Sequence, residues 1–247
     1  NFYGGAGIVG AQVPLGVGLA FANKYTAGGE PPYNVAIAAY GDGAANQGQI
    51  WEVANMAALW KLPHIFVIEN NQYGMGTSVE RHSSNPDYYT WGGRIPGVRA
   101  NGMDVLAVRE AARYCRQHCS EGNGPIFLEL NTYRYHGHSM SDPGITYRDR
   151  DEVSTTRKTR DPIEHVKELI LEAGFRTEEE IKAVEKRVRK EVADAIKTAK
   201  ASTLPAEEEL YTEIYSDGKG GSEYPPYTRA VEYVDSLGPD GKPGMLL

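Results

Sequence analysis

Between Asn34 and Tyr133 the sequence alternates short apolar runs with longer stretches whose apolar residues recur at helical spacing. The apolar runs have the length of buried β-strands and read NVAIAAY, HIFVIE and PIFLELNTY. Between them lie NQGQIWEVANMAALWK, which Pro63 ends, and MDVLAVREAARYCRQHC, for which Asp104 is the predicted N-cap. Because strands that alternate with helices are joined by right-handed crossovers, this pattern predicts an α/β fold, a parallel sheet with helices on both faces.

The character of the sequence changes after this region. Residues 134–161 are polar and rich in arginine, with little apolar periodicity, and are predicted to form a long loop, which in a compact domain is usually functional or disordered. Two helices are expected to follow it. Asp161, followed by proline, starts the first, and a capping box from Thr177 to Glu180 starts the second, an ordinary packing helix.

These patterns divide the chain into two predicted parts. Residues 1–160 form the α/β domain, whose N-terminal portion we expect to be missing. Residues 161–247 form a C-terminal helical extension and an irregular tail that pack on the same domain. The tail begins at Ser216 and is rich in glycine and proline.

Composition argues against several kinds of protein. The chain has 26 Lys and Arg residues against 33 Asp and Glu, a net charge of −7, which argues against nucleic-acid binding. The apolar stretch GIVGAQVPLGVGLAFA is too short to span a membrane and contains Gln12 and Pro14. Its helical part is apolar on nearly every side, so we expect a subunit interface to bury it. The two cysteines, Cys115 and Cys119, share a helical face as small apolar residues, and the lack of a disulfide framework fits a reducing or intracellular compartment.

The first predicted strand ends in YGDGAANQG, where an acid lies between two glycines. Gly41 and Gly43 permit unusual backbone angles and the close approach of another molecule, although the segment alone is typical of a turn. At larger scale the sequence is G-D-G-x26-N-N. One crossover of that length carries Asp42 and Asn71 to adjacent strand ends, where ligands bind in such sheets.

The residues at these strand ends suit a magnesium diphosphate. Hard oxygen ligands, which Mg²⁺ prefers, are available from the Asp42 carboxylate, the Asn71 amide and the Tyr73 carbonyl. A diphosphate would also meet the N–H groups of Gly43 and Ala44, where the next helix begins. The sequence therefore predicts a metal and diphosphate site at this edge of the sheet.

A second glycine-rich segment, GAGIVG from Gly5 to Gly10, matches the G-x-G-x-x-G pattern of dinucleotide-binding proteins. That pattern requires a preceding strand and a ribose-binding acid about twenty residues later. Only NFYG precedes it, and the nearest downstream acid, Glu30, lies in a Gly/Pro loop. We therefore do not predict a nicotinamide site here.

Three segments together carry a family resemblance: GDGAANQGQIWEVANMAALWKLP, ENNQYGMGTSVER and TYRYHGHSMSDPG. They resemble the alpha subunits of thiamine diphosphate-dependent 2-oxo acid dehydrogenases, those of pyruvate dehydrogenase in particular. G-D-G-x26-N-N is similar to the magnesium–thiamine diphosphate motif of that family. The resemblance extends to about Tyr215, and the TAGGEPPYN loop and the residues after Ser216 depart from it. It implies oxidative decarboxylation of pyruvate and reductive acetylation of lipoyl groups.

Alternatives remain open on the sequence alone. One is the alpha subunit of another 2-oxo acid dehydrogenase that acts on branched-chain acids, or of an acetoin dehydrogenase. Another is a catalytically silent subunit that only supports a partner, and the presence of both Asp42 and Asn71 argues against it.

The resemblance also implies roles for individual residues. Magnesium would be bound by Asp42, Asn71 and the Tyr73 carbonyl. The diphosphate would contact Gly43, Ala44, Asn71, Arg134 and His138, and the aminopyrimidine would meet the backbone of Gly7 and Val9. His138 is the candidate catalytic residue, because a neutral imidazole can hydrogen-bond a phosphate or a reacting carbonyl. His136 is interpreted as loop support, and the remaining histidines are predicted to be structural: His64, His82, His118 and His165.

Partners and compartment are implied in the same way. The expected partners are a beta subunit in an α2β2 heterotetramer, a dihydrolipoyl acetyltransferase core, and a regulatory kinase and phosphatase, all in the mitochondrial matrix. Because the chain has one α/β domain and the beta subunit supplies the carboxylate that faces the pyrimidine, we expect half an active site. Family members also carry a Tyr-Arg pair in a segment ahead of Asn1, so the cofactor site is expected to be incomplete in this chain.

The loop HGHSMSDPGITYR resembles one that carries inhibitory phosphoserines in the family. Ser139 matches the first of them and Ser78, in GTSVER, matches the third. Thr146 stands where the second is serine. The resemblance implies that phosphorylation at Ser139 switches the enzyme off, whereas the residues alone indicate an ordinary loop hydroxyl.

Overall fold

The computed structural model describes residues 1–212, without the side chains of Leu210 and Tyr211. Its helices are α1 (Gln12–Thr26), α2 (Gly48–Leu59), α3 (Val79–His82), α4 (Val105–Ser120), α5 (Arg150–Arg160), α6 (Pro162–Glu172) and α7 (Glu178–Ala201). Its strands are β1 (Ala36–Gly41), β2 (His64–Asn70), β3 (Tyr73–Gly74), β4 (Thr77–Ser78), β5 (Gly97–Asn101) and β6 (Ile126–Asn131). The tail predicted to be irregular, from Ser216 onward, lies outside the described residues.

Four of these strands form one parallel sheet in the order β1-β2-β6-β5. In its register Ala36 lies opposite His64, and Ile65 lies opposite Ile126. Strands β3 and β4 pair separately as a short antiparallel hairpin. The predicted parallel α/β fold is confirmed.

Hydrophobic side chains cover both faces of the sheet. Helices α1 and α2 pack in one cluster with β1, β2 and β6, and its fully buried members include Val13, Ala20, Ile50, Phe66 and Phe127. On the other face α4 packs in a second cluster, whose buried members are Ile65, Cys115, Cys119, Ile126 and Leu128. Burial of an aliphatic or aromatic side chain of this kind contributes about 1.5–3 kcal/mol.

The two cysteines lie in this second cluster as free, buried thiols. Burial raises the pKa of Cys115 to about 11 and that of Cys119 to about 12. Both thiols are therefore protonated at neutral pH, and their interpretation as small apolar residues is confirmed.

The helix start signals act as the sequence indicates. Asp104 Oδ1 accepts hydrogen bonds from the first-turn amides of α4, and Asp161 Oδ1 accepts one from the Ile163 amide at 2.8 Å. The capping box of α7 is complete, with Thr177 and Glu180 each accepting from the other's backbone N–H. These caps satisfy amides that have no partner within their helix.

The prediction that residues 134–161 form a loop is wrong for the second half of that range, because Arg150–Arg160 form helix α5. This helix has little apolar periodicity for a sequence pattern to detect. Its ends instead match the helix dipole, with acids in the first turn and bases in the last: Asp151, Glu152, Arg157, Lys158 and Arg160. Strand β5 was also missed, since it is a five-residue edge strand without a continuous apolar run.

The chain divides into two compact units, Asn1–Arg176 and the part that begins at Thr177. In the second unit, α7 carries ion pairs at i,i+4 spacing, among them Lys182 with Glu178 and Lys190 with Asp194. The domain division at residues 160 and 161 stays a prediction. Among residues 1–212, no helix is both long enough and apolar enough to cross a bilayer.

His64 is wholly buried where α1 crosses β1 and β2. Its imidazole lies edge-on to Phe66, 4.4 Å between ring centroids, and a Cβ added at Gly16 would lie only 2.9 Å from the ring carbon Cε1. Neither ring nitrogen has a side-chain hydrogen-bond partner among the described residues. Because burial disfavours the charged form, the pKa of His64 is lowered to about 3. The prediction that His64 is structural fits this position.

We predict that His64→Leu makes the protein less sensitive to acid. The unfolded chain binds the histidine proton near pH 6.5 and the folded chain only near pH 3, so this group favours unfolding increasingly as the pH falls through that window. The free energy of unfolding should fall by up to about 1.4 kcal/mol per pH unit more in the wild type than in the variant. Above pH 6.5 the free energy of unfolding should depend on pH in the same way in the wild type and in His64→Leu.

Urea unfolding at a series of pH values measures this difference. His165→Leu, which removes an exposed histidine of α6, is the control and should leave the acid slope as in the wild type. Equal slopes for wild type and His64→Leu between pH 3 and 6.5 would show that His64 takes up its proton in the folded state.

Candidate functional site

The carboxyl ends of β1 and β2 lie side by side and bring Asp42 next to the Asn70-Asn71 pair. The register places Gly41 opposite Glu69, so the residues that follow each strand also meet. Asp42 is wholly buried, and its Oδ1 accepts a hydrogen bond from the Asn71 backbone N–H at 3.2 Å. The convergence expected from the G-D-G-x26-N-N spacing is present in the fold.

Two oxygens at this point lack partners. Asp42 Oδ2 and Asn71 Oδ1 are buried, and neither has a hydrogen-bond partner among residues 1–212. Burial raises the pKa of Asp42, while the Asn71 N–H and the nearby His82 act in the opposite direction. Since buried acceptors without donors are costly, a pair of them at adjacent strand ends is typical of a cation site.

The two asparagines differ in their surroundings. Asn70 is buried and fully engaged: its Nδ2 donates to Glu129 Oε1 at 2.8 Å, and its Oδ1 accepts from the backbone and side chain of Gln72. Glu129, also buried, accepts from the Tyr89 backbone N–H at 2.8 Å through its other oxygen. Asn70 therefore fixes the end of β2, and Asn71 keeps a side-chain oxygen free for a ligand.

Two glycines allow the β3–β4 hairpin, the third segment of the site, to lie close to the loop after β1. A Cβ added at Gly43 would lie 3.0 Å from the Gly74 Cα, so the loop after β1 touches the β3–β4 hairpin backbone to backbone. Gly43 precedes a short 3₁₀ turn, Ala44–Asn46, that leads into α2. The backbone amides expected to meet a diphosphate thus lie beside the hairpin that carries Tyr73.

Arg134 is held by the same hairpin. Its Nη1 donates to the Tyr73 carbonyl at 3.3 Å, and its Nη2 donates to the Met75 carbonyl and, at 2.8 Å, to the Tyr147 hydroxyl. The Tyr73 carbonyl expected to bind a metal therefore already accepts one hydrogen bond, which leaves its second lone pair free.

The glycine-rich N-terminal segment reaches this site through Gln47, which the sequence did not single out. The Gln47 side chain donates to the Val9 carbonyl, and the Gly10 N–H donates to Gln12 Oε1. Residues 1–11 contain no strand, and Gly7 and Val9 lie in the turn that leads into α1. The segment is thereby attached to the loop after β1.

The loop that carries His138 is organised by Asp142. Asp142 Oδ2 accepts from the His138 backbone N–H at 2.7 Å and from the Tyr147 hydroxyl, and its Oδ1 accepts from the Gly144 N–H at 2.8 Å. These donors, the Tyr147 hydroxyl above all, lower the pKa of Asp142 to about 2. The carboxylate thus closes the loop between His138 and Gly144.

Arg148 anchors the other end of this loop. Its side chain is nearly buried, and the guanidinium lies 5.4–5.5 Å from the ring centroids of Tyr73, Tyr133 and Tyr147. Its Nη1 donates to the Arg134 carbonyl, and its Nη2 donates to the His136 carbonyl at 3.0 Å. Desolvated cation–π contacts of this kind contribute about 2 kcal/mol or more.

The remaining candidates lie on this loop and on the hairpin. His138, Ser139 and Thr146 are exposed, and the Ser139 hydroxyl lies 3.1 Å from that of Ser141. Ser78, in β4, is partly buried. The structure thus brings Asp42, Asn71, Gly43 and the Tyr73 segment together, and it leaves the His138 imidazole open to solvent.

Besides Gln47, sequence reasoning missed three side chains that support this site. Asn46 and His82 contact the loop after β1, and Arg148 holds the loop that follows β6. Asn46 lies within the quoted GDGAANQG segment, and its place four residues after Asp42 is a signal that could have been used. No spacing rule links His82 or Arg148 to the site, because their partners are distant in sequence.

Comparison with known proteins agrees with this geometry. Residues 1–208 match the family described as the dehydrogenase E1 component, and the chain belongs to that family. Its relatives include alpha subunits named as pyruvate dehydrogenase E1 components of mitochondria. It is 54% identical over 97% of its length to the one from Dictyostelium discoideum, 57% over 89% to alpha-1 from Oryza sativa subsp. japonica, and 56% over 87% to the somatic form from Homo sapiens. The family resemblance is confirmed.

The match covers only part of those relatives. The chain spans 60% of the Dictyostelium protein, 55% of the rice protein and 54% of the human one. The chain thus corresponds to somewhat more than half of each of these subunits.

We predict that Arg148→Lys loosens the loop of residues 134–148. A lysine keeps the charge, but its single nitrogen lacks the planar fork with which Arg148 spans the Arg134 and His136 carbonyls, and it stacks less well among the three tyrosine rings. Hydrogen–deuterium exchange should therefore accelerate at least about tenfold at the His138 and Gly144 amides, since a hydrogen bond from a charged donor contributes about 1.5–3 kcal/mol.

Arg150→Lys is the matched control, because Arg150 is exposed at the start of α5. Exchange in β2 should be unchanged in both variants. If the two variants exchange at the same rate at the His138 and Gly144 amides, then Arg148 does not hold the loop.

Proposed function

We propose that the chain is the alpha subunit of a thiamine diphosphate-dependent pyruvate dehydrogenase component. The observation that carries the proposal is the pair of buried, unpartnered oxygens, Asp42 Oδ2 and Asn71 Oδ1, at adjacent strand ends in a chain of the E1 family. The names of the relatives at 53–57% identity favour pyruvate over the branched-chain and acetoin alternatives.

E1 components of this family are thiamine diphosphate-dependent. We propose that magnesium joins the diphosphate to the chain through Asp42, Asn71 and the carbonyl of Tyr73. The donor set is all oxygen, as Mg²⁺ requires, and two of its atoms have no other partner in the described part of the chain. The Tyr73 carbonyl would use the lone pair that Arg134 leaves free.

The diphosphate would be held by groups around the same point. The backbone amides of Gly43 and Ala44 precede α2, and Arg134 and His138 follow β6. Gly7 and Val9 would offer their backbone to the aminopyrimidine, in the segment that Gln47 ties to the loop after β1. These residues orient the cofactor, and Gly43 and Gly74 exclude side chains from the contact between their loops.

Thiamine diphosphate, when bound, supplies the electron sink that decarboxylation of a 2-oxo acid requires. The chain's own contribution is to position the cofactor and to bind the negative charge of its diphosphate. A neutral His138 would donate a hydrogen bond to the reacting oxygen. The exposed position of its imidazole is compatible with contact to a substrate that enters from solvent.

The proposal extends to an assembly. A beta subunit would supply the carboxylate that faces the pyrimidine, within an α2β2 heterotetramer. The acetyl group would pass to lipoyl groups of a dihydrolipoyl acetyltransferase core in the mitochondrial matrix. The relatives are named mitochondrial, which supports the compartment, and the exposed apolar residues Leu15 and Phe21 of α1 offer a surface for another subunit.

The test of the reaction is carbon dioxide release after the full-length protein is reconstituted with its beta subunit. A panel of 2-oxo acids, including pyruvate and the branched-chain acids, and acetoin in a parallel assay separate the alternatives. We expect turnover of pyruvate in the reconstituted enzyme and none by the alpha subunit alone. A clear preference for a branched-chain acid or acetoin, or turnover without the beta subunit, would contradict the proposal.

We predict that Asp42→Asn abolishes magnesium-dependent binding of thiamine diphosphate and leaves the fold intact. The amide keeps the shape of the carboxylate and an acceptor for the Asn71 N–H, but it removes the charged metal ligand. Because the buried carboxylate is poorly compensated without a cation, the variant should unfold at or above the wild-type temperature in the absence of metal.

Calorimetric titration of the reconstituted heterotetramer with thiamine diphosphate and Mg²⁺ measures the binding. Asp151→Asn, an exposed acid of α5, is the control and should bind as the wild type does. Unchanged affinity in Asp42→Asn would remove this residue from the site.

We propose further that phosphorylation of Ser139 by a regulatory kinase inhibits the enzyme and that a phosphatase reverses it, with Ser78 and Thr146 as additional acceptors. Ser139 is exposed and follows His138, whose N–H is bound by Asp142. A phosphate adds about −1.5 to −2 charge at neutral pH. Beside an anionic diphosphate it would repel the substrate and compete for the arginines that hold the loop.

We predict that Ser139→Glu lowers activity of the reconstituted enzyme, while Thr146→Glu, farther along the loop, lowers it less. Ser139→Ala should keep its activity when treated with the dedicated kinase. Carbon dioxide release from pyruvate measures all three variants. Full activity of Ser139→Glu together with continued inhibition of Ser139→Ala by kinase would exclude Ser139 as the switch.

A further inference from the structure

A histidine predicted to be structural lies against the buried carboxylate. His82, the last residue of α3, places its Nε2 3.5 Å from Asp42 Oδ2. Its side chain is 17% exposed, and the Asp42 side chain is fully buried. Neither Nε2 nor Oδ2 has a hydrogen-bond partner within residues 1–212, so these two atoms face each other as the nearest available donor and acceptor.

The neighbouring Asn46 determines which ring nitrogen of His82 carries the proton. Asn46 Nδ2 lies 3.0 Å from the Asp42 carbonyl and 3.4 Å from the Gly43 carbonyl, positions that only a donor can occupy. The same Nδ2 lies 3.3 Å from His82 Nδ1. An amide nitrogen does not accept, so Nδ1 is the acceptor and the neutral imidazole carries its hydrogen on Nε2, toward Asp42.

The backbone fixes where the ring lies. A Cβ at Gly74 would lie 3.4 Å from His82 Nε2, so the glycine of the hairpin makes room for the imidazole. The ring therefore packs between the hairpin and the loop after β1. A polar contact of 3.5 Å can shorten when a ligand binds, as polar contacts in active sites commonly do.

We propose that His82 is a positioning residue for Asp42, which fixes the carboxylate through an Asn46–His82–Asp42 chain of hydrogen bonds. The Asn71 N–H donates to Oδ1, and the His82 Nε2–H faces Oδ2 at 3.5 Å, where it would donate once the contact shortens. One donor on each oxygen would restrict rotation of the carboxylate and leave its other lone pairs for the proposed metal. The inference rests on the proposed metal site and adds to it a residue that contacts the metal ligand Asp42 rather than the metal.

Partners of this kind orient metal ligands, and their loss typically costs 10–100-fold in metal affinity. Three substitutions distinguish the effect of the Nε2–H donor from the effect of the packing of the imidazole ring. His82→Leu removes both nitrogens, His82→Asn places an amide where Nδ1 lies, and His82→Gln places an amide donor where Nε2 lies. The readout is the Mg²⁺ concentration that gives half-maximal binding of thiamine diphosphate to the reconstituted heterotetramer.

We expect His82→Leu and His82→Asn to require about tenfold more Mg²⁺ and His82→Gln to stay within about threefold of the wild type. His118→Leu, which removes a partly buried histidine of α4, should bind as the wild type does. Wild-type binding by His82→Leu would overturn the proposal. Equal weakening by all three His82 variants would also overturn it, since that result assigns the effect to packing.

A double-mutant cycle on the metal-free protein tests whether His82 acts through Asp42. His82→Leu should lower the unfolding temperature, because the buried carboxylate loses a donor. In the Asp42→Asn background, where no carboxylate needs that donor, the same substitution should cause no loss. An equal loss in both backgrounds would contradict the positioning role.

The double-mutant cycle needs neither metal nor cofactor, so its result does not depend on whether the proposed function is correct. If Asp42→Asn alone keeps wild-type magnesium dependence, the metal assignment fails, whatever the cycle shows. If Asp42→Asn abolishes binding and the cycle is additive, the metal assignment stands and the role of His82 is refuted.

Discussion

A fully buried carboxylate with too few partners governs the arrangement of this site. Asp42 directly follows β1, receives one backbone N–H from Asn71 and faces one imidazole nitrogen. Such a group is unfavourable unless more positive charge reaches it. The neighbouring strand, the glycine contact between Gly43 and Gly74, and the position of His82 all converge on that carboxylate. The fold thus holds in place a charge whose natural complement is a cation.

The loop after β6 is connected to this point through arginines. Arg134 donates to backbone carbonyls of the β3–β4 hairpin, and Arg148 donates to backbone carbonyls of the loop itself while lying among tyrosine rings. Asp142 closes the same loop from within. These contacts are made by charged and polar groups, which a new negative charge can disturb. This dependence gives a physical basis for the proposed effect of phosphorylation at Ser139.

Much of this could be predicted from the sequence, because the relevant signals are local. Apolar runs predicted three of the four strands of the sheet and helical periodicity the helices between them, and the caps at Asp104, Asp161 and Thr177 follow from short-range hydrogen bonds. Helix α5 and strand β5 were not predicted, since the helix is stabilised by charge and the strand by pairing at a sheet edge. Neither of those causes leaves an apolar pattern.

The sequence by itself determined the α/β class, the crossover that separates Asp42 from Asn71, and the oxygen chemistry of the strand ends. Spacing could do this because parallel strands joined by one crossover end at the same edge of a sheet. Only the tertiary structure decided that Asn70 is engaged while Asn71 is not, that Arg148 anchors the loop, and that His82 faces the carboxylate. These outcomes depend on contacts between residues distant along the chain, where packing rather than local pattern sets which polar atoms are left without a partner.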